Sequence, residues 1–343
     1  MNQKIDREAY LAYARTFTDV EQKLIYEFAD WLPETIIDCH AHCNLSEHVL
    51  SVDERAYNHM LSTFPSFSLE ESRQWNALLH PGKVVRTLRF PKTFQGVDHR
   101  SANLYLLTQS PKEDRIALYG LPDDPDYTIK MLDYPRVSAL KMYYSYLEPP
   151  ATEIYQYFPK VVLKAAQEKN IPIVLHPPKR ITICLDQILK LVEDFPQLRI
   201  CLAHLSLTKW VVSGLEDAFA AIAKYPQVNF DTSLVPSAEV VNMAMQIVGT
   251  DRIMYGSDGP LHLIRSVPYT HPQHGERLAT GYPYHWTDPA EHEEFKHLAV
   301  NATHAHWQAL CAIKTAIFSF PQNEQEMVKQ KLFHDNAKSF YKF

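Results

Sequence analysis

Four polar residues, His176, His204, Asp231 and Asp258, close short apolar runs at intervals of 28, 27 and 27 residues. An interval of that size is about one strand-plus-helix unit, and its repetition restricts a chain to parallel α/β architectures. Apolar runs of strand length are expected at Val84–Phe90, Ile116–Leu121, Val137–Tyr143, Ile171–His176, Arg199–His204, Val228–Asp231 and Arg252–Tyr255. With Thr35–His42 they number eight. Helix-like segments fall between them, near 99–109, 126–133, 153–169, 182–194, 213–224 and 237–248. In one of these, Leu185, Ile188, Leu189 and Val192 trace a single buried helix face. Eight such units match a (β/α)8 TIM barrel, although an open doubly wound sheet also alternates.

Three regions fall outside the eight units of this single expected domain. Residues 1–32 read as a helical extension, with Tyr10, Tyr13 and Ala14 and then Leu24, Ile25 and Phe28 as its apolar positions. Residues 44–83 are a long insertion after the first strand. Residues 261–289, rich in proline, histidine and tyrosine, read as a lid-like loop after the eighth. Beyond them, Pro289–Cys311 and Asn323–Leu332 look helical.

A parallel barrel places the C-terminal ends of all its strands on one face, where active sites lie. His40 and His42, in IIDCHAH at 36–42, sit two residues apart at such an end. On a regular strand they project from one face and Cys39 from the other. They therefore converge with His176, His204 and Asp258. Three imidazoles and a carboxylate suit a divalent metal with one position open to water. Zinc is the first expectation from the imidazole ligands, with manganese, cobalt or iron as alternatives.

Composition narrows the classes. Net charge is −6, and the basic residues are scattered rather than clustered, which argues against a nucleic-acid surface or a polybasic membrane patch. The opening MNQKIDREAYLAYARTF lacks an apolar core, so no secretory signal is expected. No window approaches the unbroken apolar length that a membrane span needs. Five cysteines without a CxxC pair read as reduced thiols. A soluble, cytoplasmic protein is expected, with a small-molecule substrate and a homodimer as the candidate assembly. Nine glycines form neither GxGxxG nor a phosphate-binding loop, so nucleotide folds have no support.

The ordered motifs IIDCHAH (36–42), IPIVLHPP (171–178), RICLAHLS (199–206), VNFDTS (228–233), DRIMYGSDGP (251–260) and DNAKSFYKF (335–343) resemble the amidohydrolase superfamily. The resemblance is to its amidohydrolase-related branch, which includes aminocarboxymuconate-semialdehyde decarboxylase and lactone hydrolases. It implies that His40, His42 and His176 hold a metal. Asp258 would bind the metal or the attacking water, and His204 would transfer protons. Asp231 would support the site or cap a turn. Lys141 matches a position that is carbamylated in binuclear members, and Tyr143 shares its strand parity. The implied activity is hydrolysis of an amide, ester or lactone by a metal-activated water. The alternative is metal-dependent decarboxylation, for which Arg89, Lys92 and Arg265 are candidate carboxylate-binding cations. A catalytically silent barrel is the third expectation.

Overall fold

The computed structural model describes residues 16–50, 64, 66–93, 96–282, 284 and 287–343. Eight parallel strands lie in sequence order: β1 (Thr35–His42), β2 (Val84–Phe90), β3 (Arg115–Tyr119), β4 (Val137–Met142), β5 (Ile173–Leu175), β6 (Ile200–Leu202), β7 (Val228–Asp231) and β8 (Ile253–Met254). Helices alternate with them, and the whole is a (β/α)8 barrel. Strands 5, 6 and 8 are shorter than the apolar runs that announce them. Pro172 has no N–H to donate, so the β5 ladder starts at Ile173. His204 takes a left-handed backbone (φ 56°), which ends the β6 ladder before it.

Closure comes from the chain just beyond β8. Cys39 N–H donates to Tyr255 O (3.0 Å), Asp258 N–H to His40 O (2.7 Å) and His42 N–H to Gly259 O (2.7 Å). Asp38 locks the same seam, accepting from the Ser257 amide (2.8 Å) and hydroxyl (2.6 Å). Gly256 is required there, because a Cβ would stand 2.8 Å from the Cβ of His40.

Inside the barrel, Ile37, Cys39, Leu88, Phe90, Ala117, Ala139, Val174, Cys201 and Met254 form one buried apolar layer. Ala337, Phe340 and Tyr341 of the C-terminal helix Asn336–Tyr341 join it. Arg115 and Arg199, near the starts of β3 and β6, donate to the carbonyls of Lys342 and Phe340. That helix therefore plugs the N-terminal end and leaves the other mouth for chemistry. The alternate residues, among them Ile36, Leu118, Leu140, Leu175, Leu202 and Phe230, pack outward against the helices. Each such side chain contributes about 1.5–3 kcal/mol on full burial.

The register of β1 against β2 shifts between Asp38 and Ala41. The bulge breaks strict alternation at His40. Cys39 keeps the inward parity of Ile37 and lies inside the barrel, and the bulge brings the histidine pair to the same side above it.

Of the outlying regions, the expected apolar positions Tyr10, Tyr13 and Ala14 lie outside the described residues. Helix Asp19–Trp31 is present and opens on a capping box between Thr18 and Glu21. Residues 69–79 of the first insertion are helical. The segment read as an irregular lid instead holds a hairpin, β9 (Arg265–His271) with β10 (Gly275–Ala279), and β9 also pairs with β11 (Thr303–His304). Pro289–Cys311 is not one helix but Pro289–Phe295, a 3-10 turn, β11 and the start of helix Ala305–Phe318. No helix among the described residues is long and apolar enough to cross a membrane.

Two of the expected substrate-binding cations serve the scaffold. Arg89 points out of the barrel, between the inward Leu88 and Phe90. Its guanidinium bonds Asp114 (2.6 Å) and Ser72 (2.8 Å), with both partners buried. Arg265 pairs with buried Glu21, which also bonds His304 (2.9 Å). Burial pushes the Glu21 carboxyl up, but the hydrogen bond and charge of His304 more than reverse this and bring it to about 2.

Arg89→Ala leaves Asp114 as an unpaired buried charge, which costs on the order of 3–5 kcal/mol. The expected outcome is a large fall in the urea midpoint with metal content per folded molecule unchanged. Unchanged stability with lost substrate binding would return Arg89 to the site.

Candidate metal centre

The β1–β8 seam delivers the central residues. His40 and His42 end β1, Asp258 follows β8, and the hydrogen bond from Asp258 N–H to His40 O ties their backbones together. His40 Nε2 stands 3.4 Å and His42 Nε2 3.2 Å from Asp258 Oδ1. His204 Nε2 lies 3.9 Å from Asp258 Oδ2. Ligand atoms of His40, His204 and Asp258 all fall within 4.8 Å of one another. The rings of His176 and His204 are 5.1 Å apart, but His176 Nε2 faces the Tyr143 hydroxyl at 3.5 Å. His42 and His176 thus flank a tighter group that includes His204, the residue expected to move protons.

Each imidazole is oriented through its other nitrogen. His40 Nδ1 meets Asp231 Oδ2 (2.9 Å), His42 Nδ1 meets Pro91 O (3.0 Å), His204 Nδ1 meets Ser233 O (2.9 Å), and His176 Nδ1 meets Pro177 O (3.1 Å). Four oxygen acceptors hold the proton on Nδ1 and leave the Nε2 lone pairs facing the centre, the usual support of metal-binding histidines. Burial lowers the pKa of His40, lowers that of His176 well below its ordinary value and brings His204 to about 4. All three rings are neutral near pH 7, as ligation requires.

Asp231, at the end of β7, does both things expected of it. Its Oδ2 holds His40, and its Oδ1 accepts from the His204 amide (2.9 Å) and from Ser233. Burial pushes Asp231 up, and His40 overrides it, so the carboxylate stays ionised. Asp258 behaves alike: burial raises it, and His204, His42 and His40 hold it far below the usual carboxylate range. Asp258 Oδ1 is buried and makes no hydrogen bond. A buried anionic oxygen left without a hydrogen-bond donor, ringed by imidazole nitrogens, fits a divalent cation.

Lys141 also faces the centre. Its Nζ lies 5.0 Å from the Phe90 ring centroid and 5.9 Å from that of Tyr143. Burial pulls its pKa down to about 8, against the attraction of Asp231 and Asp258. Lys92 is buried and donates to Phe64 O. Asp38, Ser257 and Ser233 shape the site but carried no role in the sequence reading. The positions of Asp38 and Ser257 inside the IIDCHAH and DRIMYGSDGP motifs are the one signal that could have found them.

With this geometry in view, comparison with known proteins is decisive at the level of family. A family model described as Amidohydrolase matches residues 37–343. The chain belongs to this family. No curated protein sequence matches it significantly. Among solved structures it is similar to an Amidohydrolase 2 from Bifidobacterium longum subsp. infantis (14% identity, TM-score 0.56, covering 91% of this chain and 100% of that one). It is also similar to 5-carboxyvanillate decarboxylase from Sphingomonas paucimobilis (13%, TM-score 0.57, 91% and 100%). A third is a probable 2-pyrone-4,6-dicarboxylic acid hydrolase from Acinetobacter baumannii (11%, TM-score 0.56, 90% and 99%). At such identities these likenesses establish the shared fold. This amidohydrolase is a metal-dependent enzyme by family, and its His-His-Asp group is the candidate centre.

Asp231→Asn keeps the size of the side chain and removes the charge behind His40. Metal affinity is expected to fall about 10–100-fold, measured by competition with a chromophoric chelator on folded protein. An unchanged affinity would show that His40 is not a ligand.

Proposed function

We propose that this amidohydrolase is a hydrolase acting on a small amide, ester or lactone, with His40, His42, His176 and Asp258 as the metal-holding set and His204 beside it. The supporting observation is the unpaired Asp258 Oδ1 among imidazoles whose Nδ1 atoms are all engaged elsewhere. When bound, a divalent ion, zinc by ligand type, supplies Lewis-acid polarisation and a nucleophilic water near neutral pH. His204, kept neutral by burial, accepts the proton released by that water. It returns the proton to the leaving nitrogen or oxygen as the acyl bond breaks. Asp258 stays ionised throughout and holds cationic character at the centre. Lys141 near the end of β4 and Tyr143 just beyond it would orient the substrate, a role supported by the closeness of Lys141 Nζ to the Tyr143 ring (5.9 Å to its centroid). The five free cysteines suit a reducing, cytoplasmic setting.

Decarboxylation is the second reading. Its support is the presence of cationic groups beside Asp258, Lys141 above all, together with likeness to proteins named as decarboxylases. There the bond to the carboxylate carbon breaks, carbon dioxide leaves, and His204 supplies the proton that takes its place.

Replacing His40 and His42 together by alanine is expected to abolish bound metal and turnover while leaving the far-ultraviolet spectrum nearly unchanged. Retained stoichiometric metal would end the assignment. His204→Asn is expected to keep metal and lose most turnover; loss of metal would make His204 a ligand. A metal-reconstituted screen of lactones, amides, esters and aromatic acids, with carbon dioxide monitored apart from hydrolysis, separates the two chemistries.

A further inference from the structure

The N-terminal face of the barrel, opposite the metal centre, gathers cations that lie far apart in sequence. Arg115 opens β3, Arg136 directly precedes β4 and Arg199 directly precedes β6. A parallel barrel brings the starts of its strands to one face. There the three arginines line a cavity of about 380 Å³ together with Lys112 and Lys342. A space of that size suits a small ligand. Five cations around one cavity stand out in a chain whose net charge is −6.

No free carboxylate answers them. The acid of the lining is Asp114, and both its oxygens are engaged, Oδ1 by the Thr87 amide (2.9 Å) and Oδ2 by Arg89 (2.6 Å). The guanidiniums are held by neutral oxygens instead. Arg136 donates to the carbonyls of Leu107 (3.0 Å), Ser110 (2.9 Å) and Pro111 (2.6 Å). Arg199 donates to Asn170 Oδ1 (3.0 Å) and Asn170 O (2.9 Å), besides its bond to Phe340 O. Arg115 donates through Nε to Lys342 O (2.8 Å) and through Nη1 to the carbonyls of Lys112 (3.2 Å) and Asp114 (3.1 Å). Its Nη2 has no partner among the described residues. Lys112 and Lys342 are exposed, and among the described residues their ammonium groups pair with no carboxylate.

Buried cations that serve only the scaffold look different here, since Arg89 and Arg265 each touch a carboxylate. Carbonyls fix the basal arginines in position and cancel none of their charge. Burial, and then the charges of Arg136 and Arg86, lower the pKa of Arg115, so the cluster works against itself until an anion enters. Holding the C-terminal helix takes one bond each from Arg115 and Arg199. It leaves the convergence of five positive charges on an open space unexplained.

We propose that this basal cavity binds an oligophosphate anion, two or more linked phosphoryl groups, at the end of the barrel away from the reaction. A lone carboxylate leaves most of the positive charge unmatched, whereas linked phosphoryl groups carry several negative charges along one short chain. Guanidinium forks fit phosphoryl oxygens, and ammonium groups supply point charges at the rim. Ser138 and Asn170, also in the lining, add neutral donors. Because Arg115 and Arg199 hold the C-terminal helix as well, the bound anion stabilises the plugged barrel. The site is independent of the metal-centre reading.

The test titrates full-length protein with tripolyphosphate by calorimetry at fixed ionic strength, with orthophosphate and citrate as comparison anions. Wild type is expected to bind one tripolyphosphate per chain, about tenfold or more tightly than either comparison anion. Its melting midpoint should rise with tripolyphosphate concentration. Lys112→Gln with Lys342→Gln keeps the arginine bonds to the C-terminal helix and is expected to weaken binding about tenfold or more, with a smaller rise in midpoint. Lys23→Gln with Lys190→Gln removes the same charge from outside the cavity lining and should change neither. Equal weakening by the two double variants would reduce the effect to overall charge and overturn the site. Citrate bound as tightly as tripolyphosphate overturns the ligand class. Binding that ignores Lys112 and Lys342 but is lost in His40→Ala with His42→Ala puts the anion on the metal centre, and absence of binding by wild type likewise ends the proposal.

Discussion

The seam between β1 and the segment after β8 is the constraint on which the site depends. A parallel barrel must close its first strand on its last, and here the closing hydrogen bonds run through His40, His42, Asp258 and Gly259 themselves. The backbone that completes the cylinder is the backbone that carries the ligands. Asp38 and Ser257 reinforce the junction from the side, with no direct part in the chemistry. Burial raises the Asp38 carboxyl to about 6 against its bonds to the Ser257 hydroxyl and amide and to the His40 amide. Because this carboxyl binds its proton more tightly in the folded than in the unfolded chain, its titration adds stability to the seam as pH falls through about 6.

Orientation of the imidazoles is the second requirement, and it is met by acceptors drawn from different strands. Asp231 from β7 reaches His40 on β1, Pro91 beyond β2 reaches His42, and Ser233 beyond β7 reaches His204. No histidine is held by a residue of its own strand, apart from His176, whose partner is the carbonyl of Pro177 next to it. Distortion of any strand end thus shifts two ligands at once. The centre is stiff because the barrel is stiff, as a preorganised site requires.

Much of this was legible along the chain, for identifiable reasons. Strands β1, β2 and β7 match their apolar runs because both boundaries are marked by polar or turn-forming residues. The interval of His176, His204, Asp231 and Asp258 survives folding because each closes one strand–helix unit. What escaped depends on contacts that spacing does not encode. The bulge in β1 lets His40 face the centre although Ile37 and Cys39 already hold the inner face, and no residue type there announces it. Arg89 sits on a correctly read strand but on its outer face, where Asp114 and Ser72 wait from other elements. Histidine count was also a poor guide: of 17 histidines, His80, His262 and His306 form a separate edge-to-face cluster, with ring centroids 4.9 and 5.5 Å apart. The left-handed turn at 204–207 was invisible too, because leucine and serine in sequence do not foretell one.

Hydrolysis and decarboxylation make the same demands on most of this site, which is why family and fold leave the choice to its rim. Both need neutral imidazoles at the centre, an ionised Asp258 and a group such as His204 that moves one proton. They differ in what the substrate must present. A hydrolase needs only an acyl carbon within reach of water, whereas a decarboxylase must hold a carboxylate and then release it as a neutral gas. Cations bonded directly to the departing carboxylate would oppose that release by stabilising the ground state. A decarboxylase is therefore better served by placing its strong cations on a second anionic group, away from the carbon–carbon bond that breaks. The chemistry is set by which part of the substrate the rim holds still and which part it leaves over Asp258 and His204.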